Sequence, residues 1–225
     1  MSRIRIAHQP HTLPQAKDPG SAATHFIAFW ATLVAAPVLL RQGAHLPGSQ
    51  RLSLLVFLVS MAGLYAASTI YHTLDINPTV NRRLKKLDHM MIFVLIAGTY
   101  TPYCTVVLGG DAGRRLLIAV WAIALGGIAL KACWVTCPKW FSSVTYIALG
   151  WACIADTPKL YAASSPATFG LLLAGGLLYT IGGVIYAMKL PVFNRRFPHF
   201  GSHEVFHVFV MGGSLCHYLS LLLAV

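Results

Sequence analysis

The stretch RLSLLVFLVSMAGLYAASTIYH, residues 51–72, decides the fold. After Arg51 it contains no Asp, Glu, Lys or Arg, and a helix of about 20 such residues is long enough to cross the hydrocarbon core of a membrane. Comparable apolar runs fill most of the remaining chain. They cover 23–41, 88–109, 115–135, 140–156, 167–188 and 203–225. The sequence therefore predicts an all-α integral membrane protein, a bundle of seven transmembrane helices.

The composition excludes a soluble domain. Hydrophobic residues make up 56% of the 225 residues and charged residues only 10%, whereas soluble domains carry about 25% charged residues. We expect residues 1–22, which are polar and contain proline, to form a flexible cytoplasmic tail, and residues 23–225 to form the transmembrane domain. No cleavable signal peptide is evident, so the first apolar run should remain as an anchor. The five cysteines lie in or beside apolar runs, and we expect free thiols.

The basic residues set the orientation. The net charge of +11 is spread over segments between apolar runs, which favours contact with anionic lipid headgroups over nucleic acid binding. Twelve Lys and Arg residues fall in the tail and in the loops on its side of the membrane, and five fall on the other side. By the positive-inside rule, the N-terminus lies inside and the C-terminus outside, in the inner (plasma) membrane.

Several polar side chains are predicted at one depth, near the cytoplasmic face. Such groups are costly within a membrane and are candidates for function. They end the second span or open the third and the seventh, and they are Ser68, His72, Asp88, His203, Glu204 and His207. Three imidazoles at this depth suit a zinc ion with three His ligands and an open position. We therefore predict that His72, His203 and His207 are the metal ligands.

The sequence HEVFH, residues 203–207, matches a pattern found in zinc proteases, where the Glu is the general base. In a helix, however, Glu204 points about 100° away from His203 and about 60° away from His207, to one side of the face that the two histidines share. We therefore expect Glu204 not to be the catalytic base. Other interpretations remain open for the neighbouring groups. Asp88 can pair with the lysines before it, Ser68 can bond its own helix, and His25 and His217 suit packing or substrate contact better than ligation.

The chain resembles the hemolysin III family, the bacterial branch of the progestin and adipoQ receptor superfamily. The matching motifs are TH at 24–25, STIYH at 68–72, KKLDH at 85–89, AGTYTPY at 97–103, VTYIALGW at 144–151 and FHVFVMGGSLCHYL at 206–219. The resemblance implies that zinc is held by His72, His203 and His207, and that Ser68 and Asp88 support a bound water. The superfamily's first motif has Glu and Asn where this chain has Asp18 and Ser21.

The resemblance implies a zinc-dependent hydrolase of lipid amides or esters at the inner leaflet, with Asp88 as the proton acceptor and Ser68 helping to stabilise the oxyanion. The superfamily is also similar to alkaline ceramidases. The alternative is a non-enzymatic sensor or regulator of membrane lipid state with structural zinc. A pore-forming cytolysin ranks lower, because few charged residues are placed to line a channel. Membrane lipids are the expected partners, and the oligomeric state stays open.

Overall fold

The computed structural model describes residues 16–188 and 201–225 of the chain. Within these residues the regular structure is helical, as predicted. The α-helices are α1 (Pro19–Gln42), α2 (Gly48–Thr73), α3 (Pro78–Pro102), α4 (Gly110–Cys133), α5 (Lys139–Gly150), α6 (Thr157–Ala163), α7 (Pro166–Met188) and α8 (Ser202–Ala224). Most of the predicted tail, residues 1–15, and part of the loop at 189–200 lie outside the described residues. The first helix begins at Pro19, four residues before the predicted first span.

Six of the described helical segments are long and apolar enough to cross a membrane. They are α1 with its following turn, α2, α3 with its extension to Leu108, α4, α7 and α8. Their outer surfaces carry large apolar side chains. On α1 alone, Phe26, Ile27, Trp30 and Val34 are each more than half exposed. A water-soluble protein would bury such a surface, so the prediction of a multi-pass membrane protein is confirmed.

The predicted span at 140–156 has a different form from the other six. Here α5 has 12 residues, and it is followed by a short 3₁₀ turn (Ala152–Asp156) and then by α6. A helix of that length rises about 18 Å, which is less than the roughly 30 Å of a hydrocarbon core. Pro158 stands in the first turn of α6, where proline is tolerated, and cannot continue an upstream helix without losing a hydrogen bond.

A buried lysine fastens α5 to the end of α4. The ammonium group of Lys131 is fully buried and donates hydrogen bonds to Ser142 Oγ at 2.5 Å and Cys137 Sγ at 2.9 Å. Cys137 is a free thiol, like the other four cysteines, as predicted. Lys86, near the start of α3, donates to the carbonyl oxygen of Ala132 in the last turn of α4. These bonds join the N-terminal part of α3, the end of α4 and the start of α5 at one end of the bundle.

Small residues let α7 and α8 pack closely. A Cβ atom added to Gly182 would lie 2.9 Å from Phe209 Cβ, and one added to Gly213 would lie 2.6 Å from the ring of Tyr179. Neither distance leaves room for a side chain. The glycine-rich stretches at 175–183 and 211–214 therefore serve close helix packing, which is common between membrane helices.

Candidate metal centre

Three histidines meet at the end of the bundle where α2 stops and α8 begins. His72 lies in the last turn of α2, and His203 and His207 lie in the first two turns of α8. One ring nitrogen from each lies within 4.8 Å of the others, and the Nε2 atoms of His72 and His203 are 3.2 Å apart. Ligand nitrogens about 2.1 Å from a tetrahedral zinc are separated by about 3.4 Å. The three predicted ligands therefore lie together, at distances that suit one metal ion.

A carboxylate orients the first of these imidazoles. Asp18 Oδ2 lies 3.0 Å from His72 Nδ1, and the backbone N–H of Asp18 also donates to the carbonyl oxygen of His72 at 2.9 Å. A proton on Nδ1 satisfies the carboxylate and leaves the lone pair on Nε2 free. Metal-binding histidines are commonly held in this way, because the second partner fixes the tautomer and the ring orientation. Asp18 therefore prepares His72 to bind metal through Nε2.

A hydroxyl group does the same for His207. Thr24 Oγ1 donates to the carbonyl oxygen of Ser21 at 2.9 Å and lies 3.1 Å from His207 Nδ1. Because the hydroxyl proton is already used, its oxygen accepts a hydrogen from Nδ1, and Nε2 of His207 is again free. His25 stacks flat on the same ring, with centroids 3.7 Å apart and planes 4° from parallel. Both contacts fix the ring of His207 in place.

Ser68 and Asp88 are also buried and line a cavity with His203 and His207. Ser68 Oγ has no hydrogen-bond partner among the described residues, so it does not bond its own helix. Asp88 Oδ2 lies 3.4 Å from Nδ1 of the neighbouring His89. Lys86 instead turns towards α4, as described above. Both side chains are thus available to a molecule in the cavity.

Glu204 holds the start of α8. Ser21 Oγ donates to its Oε1 at 2.6 Å, and the backbone N–H of Gly201 donates to its Oε2 at 2.8 Å. Both carboxylate oxygens therefore have partners. This arrangement stabilises the first turn of α8 and joins it to α1. It agrees with the expectation that the HEVFH match does not mark a protease base, which stays a prediction.

The cavity beside the histidines has a volume of about 170 Å³, and its lining on α8 includes residues from His203 to His217. At one end, which we call the histidine end, its lining includes His203 and His207 of the cluster together with Asp88. Most of the other lining side chains are apolar, contributed mainly by α3, α5, α7 and α8. Such a space suits an alkyl chain whose polar group lies at the histidine end.

Sequence reasoning did not find the supporting contacts made by the start of α1. Asp18, Ser21 and Thr24 contact residues 54, 183 and 183 positions away along the chain. One signal was present in the sequence. Asp18 and Ser21 stand where the superfamily's first motif has polar residues, and the structure places both beside the metal centre.

The chain is similar to known proteins along most of its length. Residues 15–218 match the profile of the family described as Haemolysin-III related. The Hemolysin-3 homolog of Bacillus subtilis is 39% identical over 170 residues, covering 76% of each chain. Hemolysin-3 of Bacillus cereus is 35% identical over 199 residues, 88% of this chain and 87% of that protein. The Adiponectin receptor protein of Drosophila melanogaster is 24% identical over 237 aligned residues, 89% of this chain and 49% of that protein.

We predict that the purified protein carries one zinc ion and that a His203→Ala, His207→Ala double variant carries almost none, because one imidazole cannot hold the metal. Metal content is measured by mass spectrometry of detergent-purified protein. The control is His45→Ala, since His45 is exposed in a turn after α1 at the opposite end of the bundle. Full zinc occupancy in the double variant would contradict the ligand assignment.

We also predict that Asp18→Ala weakens metal binding by roughly 10–100-fold, the usual effect of losing a group that orients a ligand. The backbone bonds of residue 18 remain, so the fold should survive. Affinity is measured by competition with a chromogenic chelator. Asp111→Ala, which removes an exposed carboxylate from the first turn of α4, serves as the control. Equal affinities in the two variants would show that Asp18 does not support His72.

Proposed function

This chain belongs to the haemolysin-III-related family, and from that premise we propose that it is a zinc-dependent hydrolase of lipid amides or esters in the inner membrane. One observation carries the proposal. Two of the three clustered histidines have their Nδ1 atoms engaged, so that Nε2 faces the metal position, and a cavity suited to an alkyl chain begins beside them. A metal centre at the end of a mainly apolar cavity favours chemistry on a lipid headgroup or carbonyl.

His72, His203 and His207 would hold the zinc ion, which when bound would supply Lewis-acid activation of water and of a carbonyl group. Asp88 accepts a proton from the attacking water at its carboxylate and returns it to the leaving amine or alcohol. Ser68, with no other partner for its hydroxyl, donates a hydrogen bond to the carbonyl oxygen as negative charge develops there. Both residues line the cavity, as these roles require.

Two other functions rank lower. A lipid sensor with structural zinc would use the same cavity but leave Ser68 and Asp88 without a chemical task. The Bacillus cereus relative is called Hemolysin-3, and this name suggests a second alternative, cell lysis through a pore. The cavity of about 170 Å³ has a mainly apolar lining, which suits an alkyl chain better than a column of water.

We further propose seven crossings, with the N-terminus inside and the C-terminus outside, so that the histidine end lies at the cytoplasmic leaflet. Two contacts support this count. The ammonium of Lys139, at the start of α5, lies 4.4 Å from the ring of Tyr186, near the end of α7. Ser220, near the end of α8, donates to the carbonyl oxygen of Thr168, near the start of α7. The chain between 139 and 166 therefore runs from the histidine end to the opposite end.

We predict that Asp88→Asn lowers lipid hydrolysis about 100-fold or more while zinc stays bound, because the amide cannot accept the proton. The assay measures zinc-dependent release of fatty acid from a ceramide and from a phospholipid in mixed micelles. The matched control is Glu204→Gln, which removes a nearby carboxylate and should retain zinc and most activity. Absence of any release by the zinc-loaded wild type would reject the hydrolase. Equal losses in both variants would support the protease-like role of Glu204.

The topology makes its own prediction. A reporter fused after residue 86 should read as cytoplasmic, and one fused after residue 225 should read as exterior, since an odd number of crossings separates the N-terminus from the C-terminus. Alkaline phosphatase and green fluorescent protein fusions report the two sides oppositely. The same side for both fusions would leave an even number of crossings between residues 86 and 225 and would contradict the proposed arrangement.

A further inference from the structure

The cavity has a second polar position far from the metal centre. His217 lies on α8 ten residues after His207, which corresponds to about 15 Å along the helix. Both side chains line the same cavity. A molecule that reaches from the histidine end along this cavity therefore meets His217 at a defined distance from its head.

His217 is buried, with only 5% of its surface exposed, and its Nδ1 atom has no hydrogen-bond partner among the described residues. Its ring lies between the rings of Tyr103 and Tyr179, at centroid distances of 6.0 and 5.3 Å. The absence of a side chain at Gly175 makes room for the imidazole, because a Cβ atom there would lie 2.7 Å from His217 Nε2. The site is thus shaped around this ring.

The neighbouring hydroxyl groups are already used. Tyr65 donates to Ser214 Oγ at 2.7 Å, and Tyr179 shares the same oxygen at 2.8 Å. Tyr103 donates to the backbone carbonyl oxygen of His217 at 3.3 Å. The imidazole of His217 is therefore left with hydrogen-bonding capacity in largely apolar surroundings. A buried polar group without a partner is destabilising and calls for an explanation, of which a bound ligand is one.

We propose that His217 binds a hydroxyl group in the middle of an acyl chain whose carbonyl group lies at the three metal-binding histidines. This inference rests on the proposed function, because it takes the cavity to be the site of the lipid chain. A hydroxyl group fits either tautomer of a neutral imidazole, since it both donates and accepts. In an extended alkyl chain the C–C bonds of about 1.5 Å form a zigzag, and each advances the chain by about 1.3 Å. Roughly eleven bonds therefore span about 14 Å. The ligand class is therefore long-chain lipids hydroxylated about twelve carbons from the carbonyl group.

The stacked His25 does not provide an alternative position of this kind. Both of its ring nitrogens lack partners among the described residues, but its ring lies flat on His207. It therefore belongs to the histidine end, where a ligand's head would lie. His217, in contrast, lies at a separate point along the cavity, ten residues after His207 on α8.

The test compares the affinities of three probes for the zinc-loaded full-length protein by competition with radiolabelled stearate in detergent. The probes are stearate, stearate hydroxylated about twelve carbons from the carboxyl group, and stearate hydroxylated next to it. One added hydrogen bond in a buried site should make the mid-chain hydroxystearate bind about fivefold to tenfold more tightly than stearate. Hydroxylation next to the carboxyl group should produce no gain that depends on His217.

Two variants separate recognition from folding. His217→Leu should lose the preference for the mid-chain hydroxyl while still binding stearate, and His217→Gln, which keeps a hydrogen-bonding side chain, should retain part of it. His45→Leu is the matched control and should behave as the wild type. If His217→Leu does not fold, the affinities of the wild type for stearate and for the two hydroxystearates still test the proposal.

Equal binding of stearate and mid-chain hydroxystearate by the wild type would overturn the role of His217, and the hydrolase would be unaffected. A preference that persists in His217→Leu would also overturn it. Failure of the wild type to bind any of the three probes would instead count against the lipid cavity on which the proposed function depends. The two proposals therefore fail in distinguishable ways.

Discussion

Polar groups inside a membrane protein have no water to bond, and this constraint organises the whole molecule. Many of the buried hydroxyls, imidazoles and carboxylates bond to one another within the bundle, and several of those that do not, Ser68 and His217 among them, line the cavity. Two groups of such partners adjoin the cavity. One gathers at the histidine end, where the start of α1, the end of α2 and the start of α8 meet. The other surrounds Ser214, whose hydroxyl forms hydrogen bonds with two tyrosines on different helices. Both groups contribute side chains to the lining of the cavity, among them His207 and Tyr179.

Local helical geometry explains why the cluster of three histidines could be predicted. His203 and His207 are one turn apart on α8, so they share a face whatever the tertiary structure. His72 lies at the end of α2, and His203 lies at the start of α8. Four predicted spans separate these two ends, and an even number of spans places both on the same side of the membrane. Both inferences need only the period of a helix and the thickness of a bilayer. The six long spans were predictable for the same reason.

The supporting contacts and the α5 region were beyond such reasoning. Asp18 lies in a stretch that is polar in composition, and only the folded bundle brings its carboxylate to His72. Ser21 and Glu204 meet because α1 packs beside α8, a pairing that no local pattern specifies. Between Lys139 and Pro166 the chain is predominantly apolar, yet Pro158 and the turn before it divide it into two helices. A hydropathy profile alone does not reveal this break between α5 and α6.

The contacts at the start of α1 have a consequence for how the metal would exchange. Asp18 is bonded to His72 by both its side chain and its backbone, and Ser21 and Thr24 are bonded to Glu204 and His207. This segment therefore spans both helices that carry the ligands. Fraying of the first turn of α1, a local opening of the kind that helix termini undergo, would therefore release two of the three imidazoles from the groups that orient them. Retention of an ion in the site would then depend on the stability of one helix end.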